Sequence, residues 1–69
     1  MKMTKERVEY SRRGPSGNIY HILGMAQRAL RKQRRILDYN EMWERVQNSH
    51  SYDEALAIIG EYVELVEMP

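Results

Sequence analysis

Apolar side chains recur at spacings of three and four residues in the first half of the chain. At about 100° per residue they share one stripe, which predicts an amphipathic helix from residue 18 to about residue 33. The preceding residues 14–17 are turn-forming, so either Ser16 or Asn18 is expected to cap its N-terminus. The stripe comprises Ile19, Ile22, Leu23, Ala26 and Leu30.

A second helix is predicted from a capping-box spacing. Asp38 is followed three positions later by Glu41, an arrangement in which two side chains satisfy backbone N–H groups at the start of a helix. The helix should then run from residue 39 to about residue 47. Its buried side chains are expected to be Met42, Trp43 and Val46.

The third predicted helix starts at Tyr52, because Ser51 and Glu54 repeat the capping-box spacing. A long periodic run follows, so this helix is expected to continue to about residue 66. Its apolar arc comprises Tyr52, Ala55, Leu56, Ile59, Tyr62, Val63 and Val66.

The first seventeen residues lack a helical period. Val8 and Tyr10 alternate across Glu9, which is typical of a brief strand or an extended arm. We therefore predict an all-α fold in which a basic N-terminal arm or short strand (residues 1–17) precedes a compact three-helix bundle (residues 18–69). The predicted core is Ile19, Ile22, Leu23, Ala26, Leu30, Met42, Trp43, Val46, Leu56, Ile59 and Val63.

Composition narrows the class of protein. Hydrophobic residues form 42% of the 69 residues and charged residues 30%, which is too apolar for a disordered chain and too interrupted for a membrane span. The absence of cysteine excludes disulfides and thiolate zinc sites. No signal-peptide layout is visible at the start, so a cytoplasmic protein without membrane attachment is expected.

Charge is divided along the chain. Residues 1–37 contain ten basic and two acidic side chains, a net charge of +8, whereas residues 38–69 contain one basic and eight acidic side chains, a net charge of −7. Such a division is typical of a nucleic-acid surface with an acidic counterweight, or of two opposite faces that meet each other or separate partners. The overall charge of +1 conceals both surfaces.

The basic residues form the most informative candidate site. Five of them fall within eight positions near the end of the first helix, and two more precede that helix. A solvated face is one interpretation, and contact with phosphates or an acidic protein is the other. No aromatic side chain is predicted among them, so any nucleic-acid binding is expected to be mainly electrostatic. The residues are Arg12, Arg13, Arg28, Arg31, Lys32, Arg34 and Arg35.

The acidic residues of the predicted third helix form a second candidate surface. Asp53, Glu54, Glu61 and Glu64 should line its outer side, either solvated or facing a partner protein. Residues 49–53 also contain serine, histidine and aspartate, but a helix cap explains them better than a catalytic triad. A metal site using His21, His50 and Asp53, and an anion site at residues 14–17, are weaker alternatives.

Three stretches carry a family resemblance. The runs SGNIYHILGMAQRAL, EMWERV and SYDEALAIIGEYVE resemble short uncharacterised proteins encoded in phages and prophages of Gram-positive gut bacteria. In size and charge separation such proteins are similar to inhibitors of host defence, including anti-CRISPR proteins. The resemblance implies a binding role and assigns no site residues.

We therefore expect a non-enzymatic protein-binding module, without cofactor or metal, that docks on a larger host protein or ribonucleoprotein complex through its acidic face. Direct nucleic-acid binding through the basic residues is the alternative. Self-association is compatible with either function.

Overall fold

The computed structural model describes residues 5–68. Its elements follow one another as strand, short 3₁₀ turn, three helices and strand. Residues 1–4 and 69, which belong to the predicted arm and helical domain, lie outside the described residues. The elements are β1 (Arg7–Tyr10), the 3₁₀ turn (Pro15–Gly17), α1 (Ile19–Lys32), α2 (Ile36–Gln47), α3 (Tyr52–Ile59) and β2 (Glu64–Glu67).

The protein is mostly helical, as predicted, with three helices that contact one another. The fold differs from the all-α prediction because β1 and β2 pair with each other. They are parallel, and the register places Arg7 opposite Glu64 and Tyr10 opposite Glu67. All three helices therefore lie in the connection between two paired strands, and residues 7–10 of the predicted arm belong to a small sheet.

Helix α1 forms as the apolar stripe predicts. Asn18 is its N-cap, and the Asn18 side chain accepts a hydrogen bond from the Tyr20 N–H at 2.8 Å. This bond satisfies one of the N–H groups that the first turn leaves unpaired. The buried side of the helix is the predicted one, with Ile22 and Leu30 fully enclosed.

Helix α2 begins earlier than predicted, at Ile36. Asp38 lies in its first turn and does not cap the helix; it accepts a hydrogen bond from Arg35 Nε at 2.7 Å. The turn before α2 contains Arg34 at φ 58°, a left-handed conformation that reverses the chain after α1. This turn starts α2 three residues ahead of the predicted start at residue 39.

The prediction that Trp43 belongs to the core is wrong, because its side chain is 38% exposed. Met42 and Val46 are buried, and Trp43 lies about 100° around the helix from Met42. The buried stripe of α2 is too narrow to include both positions. Trp43 is therefore only partly covered.

Helix α3 starts as predicted and ends early. The Ser51 hydroxyl accepts a hydrogen bond from the Glu54 N–H at 3.0 Å, which confirms the cap. The helix stops at Ile59 instead of continuing to residue 66, and residues 64–67 form β2. Pairing with β1 gives the backbone N–H and C=O groups of β2 partners that a longer helix would otherwise supply. For example, the Glu64 N–H donates to the Glu6 carbonyl at 2.9 Å.

The core joins the sheet to the helices. Most predicted core positions are buried, and Ile19 and Leu56 are partly buried against the same cluster. Val8 and Tyr10 enter the core because alternate residues of β1 point inward. The buried residues that the predicted core did not include are Val8, Tyr10, Ala29, Ala55, Ile58 and Tyr62. The buried hydrophobic side chains are Val8, Tyr10, Ile22, Leu23, Ala26, Ala29, Leu30, Met42, Val46, Ala55, Ile58, Ile59, Tyr62 and Val63.

The turn before α1 requires glycine at one position. A Cβ atom on Gly17 would overlap the backbone carbonyl oxygens of Ser11 and Arg12. The Gly17 carbonyl also accepts a hydrogen bond from the Tyr52 hydroxyl. Gly17 therefore lets the end of the β1 segment pass close to the start of α1, which fixes α1 relative to the sheet and to α3.

Candidate nucleic-acid interface

The outward side of α1 carries no acidic residue. Its exposed basic side chains follow the helical spacing of three and four residues, on the side opposite the buried stripe. Around this side lie His21, Gly24, Arg28, Arg31 and Lys32, which we call the α1 outer face. A guanidinium group stays protonated across the physiological range, so this face is positively charged at any relevant pH.

Internal ion pairs divide the predicted basic residues into two groups. Lys32 pairs with Glu6 at 3.3 Å, and Arg35 pairs with Asp38 while also donating to the Tyr62 carbonyl at 3.4 Å. Arg12 pairs with Asp53 and lies 5.2 Å from the centre of the Tyr52 ring. Among the seven predicted basic residues, Arg13, Arg28, Arg31 and Arg34 have no side-chain ion pair or hydrogen bond within residues 5–68.

Three of these four unpaired arginines lie together. Arg28 and Arg31 are one turn apart on α1, and Arg34 follows in the turn after it. All three are exposed. Arg13 lies apart from them, in the segment between β1 and the 3₁₀ turn. Three of the seven predicted basic residues thus lie close to one another in sequence, and their side chains form no ion pair or hydrogen bond within the described residues.

Gly24 leaves an opening in the α1 outer face. No atom outside its own helix lies within 4 Å of the position that a Cβ atom would occupy. Gly24 is therefore not needed to let a neighbouring element pack closely against α1. A glycine at this place costs about 0.5 to 1 kcal/mol of helix stability relative to alanine. It exposes bare helix backbone one turn before Arg28.

An exposed aromatic side chain continues the same stripe. Tyr20 is 68% exposed and precedes Gly24 by four residues, as Gly24 precedes Arg28. Tyr20 is not among the residues predicted for this face. The signal was present in the sequence: positions 20, 24, 28 and 31 fall within an arc of about 80° on a helix of 100° per residue.

Tyr20 also borders an open groove of about 330 Å³ between α1, the end of α2 and the start of α3. Leu23, Val46 and Ala55 supply apolar lining, and the Gln47 side chain lies at the margin. The groove therefore leaves free space beside the Tyr20 ring at the N-terminal end of the α1 outer face.

The four acidic residues predicted on one helix face are distributed over three elements. Asp53 and Glu54 lie in α3, where Asp53 pairs with Arg12 and the Glu54 carboxylate accepts from the His50 N–H at 3.3 Å. Glu61 lies in the turn after α3 and Glu64 in β2. The continuous acidic stripe required α3 to reach residue 66, so it does not form.

Glu61 is held by two parallel hydrogen bonds. Both terminal nitrogens of Arg45 donate to its carboxylate at 2.9 Å. This bonding lowers the pKa of Glu61 and raises the pKa of Arg45. Arg45 also donates to the Tyr62 hydroxyl at 3.0 Å, so the pair links α2 to the end of α3. Glu61 has a structural partner already.

The serine and aspartate side chains of the possible catalytic and metal sites have other bonds. The Ser49 hydroxyl donates to the Val46 carbonyl at 2.6 Å, while Ser51 caps α3 and Asp53 pairs with Arg12. In the part of the chain that the structure describes, no three histidine or acidic side chains form a group suited to a metal ion. None of the helices found there has the length and apolarity needed to cross a bilayer.

Comparison with protein-family models, curated proteins and solved structures finds no match. The resemblance to phage-encoded proteins stays a prediction.

Proposed function

We propose that this protein binds nucleic acid through the α1 outer face and the turn that follows α1, with Arg28, Arg31 and Arg34 contacting phosphates. The observation that carries the proposal is that these three neighbouring arginines have no partner within the described part of the molecule. Neutralising phosphates with such side chains releases condensed counterions, which is the main source of affinity in sequence-independent binding.

Two further features of α1 favour a nucleic acid over an acidic protein surface. The bare backbone at Gly24 allows a sugar–phosphate chain to approach the helix more closely than side chains elsewhere permit. Tyr20 supplies an exposed ring on the same stripe, and base–aromatic stacking is typical of single-strand binders. The two features together favour single-stranded nucleic acid, whose bases are free to stack.

The length of the stripe fits a short strand. Eight residues separate Tyr20 from Arg28, which corresponds to about 12 Å at the rise of an α-helix. Stacked nucleotides advance by about 3.4 Å each, so three to four nucleotides span this distance. A base on Tyr20 and phosphates on the arginines therefore belong to one bound segment.

The protein-binding function through the acidic residues has weaker support. It requires one acidic face, whereas Asp53 and Glu61 form ion pairs inside the molecule and Glu64 lies on a different element. Surface pairs contribute only about 0 to 1 kcal/mol each, so pairing alone does not prevent binding. The separation of these residues removes the continuous surface on which that prediction depended.

The test is fluorescence anisotropy with labelled single-stranded and duplex oligonucleotides at two salt concentrations. We expect tighter binding of single strands and a logarithmic salt slope of about −2, since about three phosphates are neutralised. Arg31→Gln should weaken binding several-fold. Arg13→Gln is the matched control, because Arg13 is also exposed and unpaired but lies outside α1.

The outcomes separate the proposal from general charge attraction. Equal losses in Arg31→Gln and Arg13→Gln would show that net charge, and not the α1 outer face, determines binding. No anisotropy change with any oligonucleotide at low salt would overturn the proposed function.

A further inference from the structure

Helix α2 leaves three large apolar side chains partly or largely in solvent. Ile36 is 45% exposed, Leu37 79% and Trp43 38%. They are three of the five large hydrophobic residues found exposed in the described part of the chain, and they share one short helix. Single exposed apolar residues are ordinary, whereas a group on one element indicates an interaction surface.

Ile36 and Trp43 lie on one stripe along α2, separate from the buried stripe of the same helix. Positions 36, 40, 43 and 47 recur every three or four residues, and the stripe lies about 120° around α2 from the buried Met42 and Val46. Leu37 stands beside it. We call Ile36, Leu37, Asn40 and Trp43 the α2 patch. A helix that is apolar on two sides is typical of one packed on two sides.

Opposite charges without partners flank the α2 patch. Arg34 stands at its N-terminal end, and Glu44 lies toward its C-terminal end. Neither side chain has an ion pair or hydrogen bond among the described residues. The patch therefore has apolar side chains on both sides of Asn40, with a positive charge at one end and a negative charge at the other that have no partner among the described residues.

This arrangement is self-complementary under a two-fold rotation. If two α2 helices pack antiparallel about an axis near Asn40, Ile36 and Leu37 of one copy face Trp43 of the other. The same operation brings Arg34 of each copy close to Glu44 of the other. In such an isologous contact every favourable pair forms twice. We infer that the α2 patch is the contact surface of a homodimer.

The size of the patch sets the strength of the contact. The twelve residues of α2 extend about 18 Å, so a contact through this helix alone falls below the roughly 1,200 Å² of stable interfaces. The dimer is therefore weak and depends on protein concentration. Its formation does not rest on the proposed function, because the apolar residues of the α2 patch lie outside α1. Arg34 lies in the turn between α1 and α2 and belongs to both surfaces, so dimerisation is measured without nucleic acid.

The single tryptophan makes the inference directly measurable. Trp43 is the only tryptophan in the chain, so its emission reports the α2 patch alone. Between low micromolar and millimolar protein, without nucleic acid, we expect the emission maximum to move to shorter wavelength as the indole leaves water. Sedimentation velocity on the same samples should show a monomer converting to a dimer over the same range.

Substitutions test both the apolar and the charged contacts. Leu37→Glu should weaken dimerisation at least tenfold while leaving the circular dichroism unchanged, because the Leu37 side chain is almost fully in solvent. Tyr20→Glu is the matched control, a comparably exposed residue outside α2. Arg34→Glu and Glu44→Arg should each weaken the dimer, and the double variant should restore it.

Three results would overturn the inference. The first is a monomer at every concentration with an unshifted Trp43 spectrum. The second is an equal effect of Leu37→Glu and Tyr20→Glu, which would place the contact elsewhere. The third is a Trp43 shift only when an oligonucleotide is added, which would assign the α2 patch to nucleic acid.

Discussion

Helices α1 and α2 are consecutive and similar in length, yet they use their apolar residues differently. In α1 the apolar side chains point inward and the charged ones outward, with Tyr20 as the exception. In α2 the buried stripe contains Met42 and Val46, while larger apolar residues remain in solvent. The spacing of apolar residues thus identifies the buried side of a helix such as α1, which is apolar on one side. It gives wrong core positions in a helix such as α2, which has apolar residues on a second side.

The comparison of α1 with α2 is tested most strongly by replacing one apolar side chain in each helix with alanine. The largest loss of stability is expected in α1. Leu30→Ala should destabilise the protein by about 2 to 5 kcal/mol, because Leu30 is fully buried. Trp43→Ala should cost about 2 kcal/mol, below the 3 to 5 kcal/mol typical of an enclosed tryptophan, because Trp43 is only partly buried. Urea unfolding at low protein concentration measures both. Similar losses would mean that α2 is buried on the Trp43 side.

The next effect concerns the polar contacts of α2 and depends on pH. The buried Tyr62 hydroxyl donates to Glu41 at 2.5 Å and accepts from Arg45. Burial, and then the bond to Glu41, raises the pKa of Tyr62 above its usual value near 10. The folded state then holds the phenolic proton more tightly than the unfolded state, so stability is complete below pH 10 and falls as pH rises through the folded pKa.

Tyr62→Phe tests this linkage. At neutral pH we expect a loss of about 0.5 to 1.5 kcal/mol from the missing hydrogen bonds. Above pH 10 the variant should lose stability less steeply than the wild type. Some slope should remain, because burial and the nearby Glu67 also raise the pKa of Tyr10. Urea midpoints at pH 8 and above pH 10 give the comparison, and parallel slopes in the two proteins would contradict it.

The smallest effect is expected for Gly24→Ala in α1. This substitution should raise the stability of the protein and weaken its binding to oligonucleotides. Gly24→Ala should stabilise the protein by about 0.4 to 1 kcal/mol, because the new methyl group meets no atom and the unfolded chain loses freedom. The same methyl group should weaken oligonucleotide binding if a sugar–phosphate chain lies on the helix there. Thermal melts and anisotropy test the two halves separately. Unchanged binding would mean that Gly24 is simply a weak point of α1.

Local patterns were sufficient for much of the fold. The α1 stripe and the Ser51 cap depend on residues within a few positions of one another, and both were predicted. The end of α3 was not, because residues 60–67 have a helical period that competes with strand pairing to β1. That pairing joins positions 57 apart, Arg7 with Glu64, and no local signal records it.

The candidate site was predicted in part. The basic residues of α1 were identified from composition and spacing, but the sequence did not distinguish the unpaired Arg28 from Arg12, whose partner Asp53 lies on a distant element. The acidic face failed as a continuous surface because its geometry followed from the helix that ends at Ile59. Charge can be counted in a sequence, whereas its neutralisation depends on tertiary contacts.

The pairing of β1 with β2 has a consequence for how the chain reaches its native state. The inner strand residues Val8 and Tyr10 are made early in synthesis, yet their backbone partners are the last described element to emerge from the ribosome. Contacts between distant positions require closure of a long loop and slow folding relative to local helix formation. The three helices can therefore form during synthesis, while the sheet and the part of the core beneath it must wait until residues 64–67 have been synthesised.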